Sequence, residues 1–142
     1  MHLSIARPLV SKVGYVTQWF GENPQAYTKF ALAGHNGIDY GVVVGTPVLS
    51  PIDGTVTHIT DQGKQGYGLN IIIECSGCSI ILAHLSEVQV VEGDTVVREQ
   101  QVALSGNTGN STGPHLHLGI RVPGMRNQAY NDYVDPAPFR DI

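Results

Sequence analysis

The sequence predicts a mainly β fold: a compact antiparallel β-sheet in a single domain. Three observations lead there. Residues 69–75 and 79–86 are isoleucine-rich runs of strand length, joined across the turn dipeptide Ser76-Gly77. Seventeen glycines and eight prolines supply frequent tight turns. No segment keeps the 3.6-residue period of an amphipathic helix.

Taken in order, residues 15–20 read as a short strand ended by Gly21, and residues 22–34 as a loop without clean periodicity. Residues 38–44 are extended up to the Gly45-Thr46-Pro47 turn. Residues 48–49 and 54–61 follow as strands on either side of Pro51-Ile52-Asp53-Gly54. A flexible connection at 62–66 leads into the isoleucine-rich hairpin. Short strands are expected near 88–91 and 95–97; residues 101–105 then lead into a glycine-rich loop at 106–113, followed by a strand from His115 to Val122. The core spans about residues 14–122, within one domain of 1–142, and an extended tail runs from 123 to 142. Cys75 and Cys78 form a lone CxxC across the hairpin turn, a weak metal signal. They are read as two free thiols beside a turn, with a hairpin disulfide as the alternative.

Composition removes several function classes. A net charge of −4 is the wrong sign for nucleic-acid binding. No apolar run approaches the roughly 20 residues of a membrane span. The first residues lack a charged stretch followed by an apolar run, so no signal peptide is expected.

The chemistry concentrates in the histidines. In Thr112-Gly113-Pro114-His115-Leu116-His117-Leu118-Gly119, strand alternation puts His115 and His117 on one face and the leucines on the other. In His35-Asn36-Gly37-Ile38-Asp39, Gly37 argues against a helix, and in an extended segment His35 and Asp39 share a face. Two imidazoles and a carboxylate, with a fourth position open to water, make the donor set of a catalytic zinc. Alternation on 79–86 groups His84 with Ile80, Leu82 and Ser86. Four histidines then surround one aspartate, leaving imidazoles beyond three ligands for proton transfer or oxyanion stabilisation. His2 and His58 have no partner in the pattern and are read as surface residues.

With these segments in hand, the chain resembles the M23 peptidase family of lysostaphin- and LytM-type zinc endopeptidases. The resemblance is carried by 35–41, Gly45-Thr46-Pro47-Val48, Asp53-Gly54-Thr55-Val56, Ala83-His84-Leu85-Ser86 and 106–117. It implies an antiparallel sheet with long loops lining a zinc-containing groove. His35, Asp39 and His117 become ligands of one Zn²⁺, and His84 and His115 the non-ligating catalytic pair. Tyr27 becomes a candidate oxyanion donor. Leu82, Glu99 and Leu118-Gly119 depart from the family pattern, where aromatic, glycine, and aromatic-acidic residues are usual. These departures bear on substrate preference rather than on the five site residues.

The implied activity is zinc-dependent hydrolysis of peptide bonds in bacterial peptidoglycan by a monomer acting on the cell wall. Without a signal peptide, delivery by host lysis or on a phage virion is expected, with virion proteins as further partners. The alternatives are a non-catalytic wall-binding or structural phage-tail module of the same fold, and a non-haem iron oxygenase, which shares two histidines and a carboxylate.

Overall fold

The computed structural model describes residues 3–139, so His2 lies outside the described residues. Ten strands among them form one open, antiparallel sheet. They are β1 (Tyr15–Gln18), β2 (Ile38–Gly41), β3 (Pro47–Leu49), β4 (Gly54–Asp61), β5 (Leu69–Cys75), β6 (Cys78–Val88), β7 (Thr95–Val96), β8 (Gln101–Ser105), β9 (His115–Arg121) and β10 (Tyr133–Val134). The spatial order is β1-β2-β9-β6-β5-β4-β7, with β10 on β9 and β8 joining β3 to β6.

The mainly β fold class agrees with the sequence reading, with local corrections. The loop at 22–34 contains a one-turn helix, α1 (Pro24–Tyr27), followed by a 3₁₀ turn at Thr28–Phe30. Pro24 stands in its first turn, where a missing N–H breaks no hydrogen bond. The strand expected at 38–44 stops at Gly41, and the one expected at 88–91 is absent because β6 continues to Val88. In the tail, Tyr133 pairs with Arg121 and Val134 with Ile120. No helix among the described residues is long and apolar enough to cross a membrane.

The cysteines also require a correction: they form a disulfide, with Cα atoms 5.4 Å apart. Cys75 and Cys78 face each other in register across the two-residue turn, and that cross-strand placement brings their thiols within bonding reach.

Alternation sorts the sheet into two faces. Ile38 and Tyr40 of β2, Leu116, Leu118 and Ile120 of β9, Ile80 and Leu82 of β6, and Ile71 and Ile73 of β5 are all fully buried on the core face. Burial of each such side chain stabilises the fold by about 1.5–3 kcal/mol. Val48, Val102 and Ala103 pack onto this face from β3 and β8, and Ile5 and Leu9 from the N-terminal segment. The opposite face carries the polar residues of the middle strands.

Candidate metal centre and active site

β2 and β9 pair in register with Asp39 opposite His117 and Gly41 opposite His115. With Ile38, Tyr40, Leu116 and Leu118 in the core, Asp39, His115 and His117 are left on the other face. His35 arrives differently from the sequence expectation, because it precedes β2 and belongs to no strand. Its backbone is fixed by hydrogen bonds from Gly21 N–H to the His35 carbonyl (2.8 Å) and from His35 N–H to the Glu22 carbonyl (3.0 Å).

Three donor atoms converge there. His35 Nε2 lies 3.1 Å from Asp39 Oδ1, His117 Nδ1 lies 2.9 Å from the same oxygen, and the two nitrogens are 3.2 Å apart. Donors around a tetrahedral zinc at about 2.0–2.1 Å stand roughly 3.3 Å from one another. The near-equilateral triangle, all three residues buried, therefore fits a small divalent cation. His35 Nδ1 lies 3.2 Å from the Trp19 carbonyl, which can only accept. Nδ1 thus carries the proton and Nε2 turns its lone pair to the centre, the outer-shell arrangement of metal-binding histidines. Gly37 is required by close packing: a Cβ there would stand 2.2 Å from the Leu118 carbonyl oxygen and 2.8 Å from the His117 ring.

Burial opposes the Asp39 charge, yet hydrogen bonds from His117 and His35 outweigh it and hold the carboxyl well below the usual carboxylate range. His117 is pushed down by burial, against the pull of Asp39. Both shifts favour the ligating forms, carboxylate and neutral imidazole.

His84 requires a correction of the alternation argument. Ile80 and Leu82 do enter the core, but His84 faces the opposite side, its ring centroid 4.5 Å from that of His115 and 6.1 Å from that of His117. The cause is a β-bulge. Leu82 pairs with Ile71 and Leu85 with Leu69, so Ala83 and His84 together oppose Asn70 alone. His84 takes up the extra residue at φ 62°, which turns its side chain out of the core. The bulge is held by His84 N–H to the Tyr67 carbonyl (2.9 Å) and by Nδ1–H to the Thr108 carbonyl (2.6 Å). Burial, followed by the nearby His117, lowers the His84 imidazole to about 4. In that neutral form its Nε2 is an unprotonated acceptor.

His115 is oriented in the same manner, Nδ1–H donating to the Gly113 carbonyl at 2.8 Å. Its Nε2 lies 3.6 Å from Asp39 Oδ2. The structure thus brings His35, Asp39, His84, His115 and His117 together. Tyr27 is nearby, its ring centroid 5.4 Å from His35, with its hydroxyl donating to Gln18 Oε1 at 3.1 Å. Burial, followed by the Asp39 charge, pushes this phenol up to about 12, so it remains a protonated donor.

Two site residues escaped the sequence reading. Tyr67, between the connection read as flexible at 62–66 and β5, lies 5.4 Å from the His117 ring and accepts from Asn36 Nδ2 at 2.7 Å. Thr108 orients His84 through its carbonyl, and its own hydroxyl donates to the Leu85 carbonyl at 2.8 Å. Thr108 lies within the glycine-rich segment already singled out, whereas no sequence signal marked Tyr67.

An open antiparallel sheet thus carries a buried His-Asp-His trio that could hold one metal ion, with two further imidazoles beside it. The chain belongs to Peptidase family M23, whose model matches residues 33–136. It is 39% identical over 95 residues to the peptidoglycan DD-endopeptidase ShyA of Vibrio cholerae, covering 66% of this chain and 21% of that protein. A zinc-containing peptidase of Vibrio cholerae aligns with a TM-score of 0.73 and 32% identity, over 90% of this chain and 37% of that one. The catalytic domain of lysostaphin from Staphylococcus simulans aligns at TM-score 0.76 and 30% identity, over 89% and 91% of the two chains. The chain spans about a quarter or less of the length of the curated relatives it matches first.

Proposed function

We propose that this domain is a zinc-dependent endopeptidase that hydrolyses peptide bonds in bacterial peptidoglycan, acting at the cell wall however it is delivered, virion-borne delivery included. The observation that carries the reading is the three-donor triangle with edges of 2.9–3.2 Å next to two imidazoles oriented through Nδ1. His35 Nε2, Asp39 Oδ1 and His117 Nδ1 would hold the ion. Bound there, zinc supplies a Lewis acid for the scissile carbonyl and lowers the pKa of water toward about 7.

The chain's own groups supply the rest. His84 and His115 each present a free Nε2, held in place by a backbone carbonyl on Nδ1. One accepts the proton of the attacking water, and the other stabilises the developing oxyanion or protonates the leaving amine. Tyr27 is a second oxyanion donor once its hydroxyl leaves Gln18. The likeness to a peptidoglycan endopeptidase supports the substrate class, and the zinc-containing neighbour supports the metal.

The test combines elemental analysis with hydrolysis of purified peptidoglycan. The wild-type protein is expected to carry one zinc and to lose activity on chelation. His84→Ala and His115→Ala should retain zinc and lose about 10²–10⁴-fold in rate. Near-normal hydrolysis in either variant would refute the role given to that residue.

A further inference from the structure

The imidazoles of His84 and His115 both lean on one loop, residues 106–114, which joins β8 to β9. At its base the loop is closed by His115 N–H donating to the Gly106 carbonyl at 3.3 Å. Its crest docks on the 62–68 connection, where Gly109 N–H donates to the Gly63 carbonyl at 3.0 Å and Asn110 N–H to the Gly66 carbonyl at 2.8 Å. A Cβ at Gly109 would stand 2.4 Å from the Gly68 nitrogen, so glycine is what lets the two segments meet this closely. The loop is thus fixed from outside, and the side chains it carries are held in place.

The two imidazoles meet different kinds of acceptor on this loop. At His84 it is a backbone carbonyl, that of Thr108. At His115 a side chain joins the backbone: Nδ1 lies 2.8 Å from the Gly113 carbonyl and 3.0 Å from Ser111 Oγ. The carbonyl can only accept, so Nδ1 carries the proton and shares it with Ser111 Oγ in a three-centre bond. The Ser111 hydroxyl proton then goes to Asn107 Oδ1 at 2.6 Å, which is nearer than the Gly113 carbonyl at 2.9 Å. His115 donates to Ser111 and Ser111 to Asn107, a relay that runs outward from the half-buried imidazole to an exposed amide.

The relay sits on the ring nitrogen opposite the reacting one. In either role open to His115, accepting the proton of the attacking water or donating to the oxyanion or leaving amine, the ring carries protons on both nitrogens at the transition state. Its positive charge makes Nδ1–H the stronger donor, and charge-assisted hydrogen bonds are roughly twice as strong as neutral ones. An acceptor on Nδ1 therefore stabilises the transition state more than the resting enzyme, which raises kcat without tightening substrate binding.

We infer that Ser111 is a positioning residue for hydrolysis that acts through His115. With the Gly113 carbonyl it fixes the imidazole and receives Nδ1–H as charge develops, and Asn107 keeps the hydroxyl turned to accept. This inference rests on the peptidoglycan-peptidase reading and adds to it the side chain that sets one of the two imidazoles.

The test uses the zinc-loaded protein and soluble peptide-cross-linked muropeptide dimers as substrate. Ser111→Ala should lower kcat about tenfold, the loss of one charge-assisted bond, with KM and zinc content as in the wild type. Ser111→Thr keeps the hydroxyl and should recover most of that loss. Asn107→Ala should cost less, about threefold, because the Ser111 hydroxyl can turn to the Gly113 carbonyl and still accept. The deciding measurement is a double-mutant cycle: adding Ser111→Ala to His115→Ala should leave the residual rate unchanged, since the ring through which Ser111 acts is gone. Losses that multiply in the double variant would show that Ser111 supports the loop independently of His115, and would overturn the inference. Wild-type kcat in Ser111→Ala, or no recovery in Ser111→Thr, would overturn it as well. Each of these results leaves the peptidase reading standing, whereas a wild-type protein that cleaves no dimer would overturn both.

Discussion

His84 and Glu99 share a backbone conformation that L-residues rarely adopt, with φ at 62° and 71°. Each costs roughly 1–2 kcal/mol relative to glycine in the same place. Their surroundings differ completely. His84 is 6% exposed, sits in the β6 bulge, and is tied through its N–H to Tyr67 and through its imidazole to Thr108. Glu99 is exposed in the turn between β7 and β8, where its N–H donates to the Ser50 carbonyl at 2.7 Å. The same strain carries an imidazole to the His35–Asp39–His117 trio in one case and serves only to turn the chain in the other. Backbone strain alone therefore does not mark a functional residue; the contacts of its side chain do.

The largest expected effect comes from separating backbone and side chain at His84. His84→Gly keeps the left-handed bulge without strain and removes the imidazole. Hydrolysis should fall by about 10²–10⁴-fold while the thermal midpoint stays near that of the wild type, relief of the left-handed strain being offset by loss of the Thr108 hydrogen bond. His84→Val should lose as much activity and also destabilise the fold relative to His84→Gly, because a β-branched residue tolerates positive φ poorly. Equal thermal midpoints for the two variants would show that the bulge does not impose the left-handed backbone.

An intermediate effect is expected at the far end of the same strand. The Cys75–Cys78 link closes a four-residue loop, for which chain entropy gives about 2 kcal/mol. Replacing both cysteines with serine should lower stability by about that amount and leave kcat unchanged, since the metal row lies several residues away along β6. A loss of kcat matching that of His84→Gly would mean that the two ends of β6 are not independent.

Much of this contrast was legible in the sequence, for a physical reason. β4 and β5 begin and end at the expected residues because each is a β-branched-rich run between strong turn signals. The strand period put His115 and His117 on one face, and β9 obeys it. His84 was assigned to the correct strand but the wrong face. A single inserted residue reverses every later side chain, and the bulge is specified by the partner strand and by the loops of Tyr67 and Thr108. His35 was expected beside Asp39 and lies there, although its position comes from backbone pairing with residues 21 and 22 rather than from extension of β2. Tyr67 stayed invisible because a tyrosine among glycines carries no period, and its place depends on contacts from distant segments. The disulfide was only an alternative because CxxC spacing constrains the sequence separation, not the pairing of the strands.

The smallest expected effect tests the other side of the comparison. Glu99 stands where the family usually has glycine, and its positive φ supplies the physical reason for that usage. Its side chain is exposed, and the turn is held through the backbone N–H, which glycine retains. Glu99→Gly should therefore raise stability by about 1 kcal/mol, relief of left-handed strain being partly offset by the greater entropy of glycine in the unfolded chain. Denaturant unfolding would read this as a higher midpoint at unchanged slope, with hydrolysis per molecule unaltered. A lower midpoint would mean that the glutamate side chain supports the β7–β8 turn, and that the two left-handed residues differ in function but not in being held by their side chains.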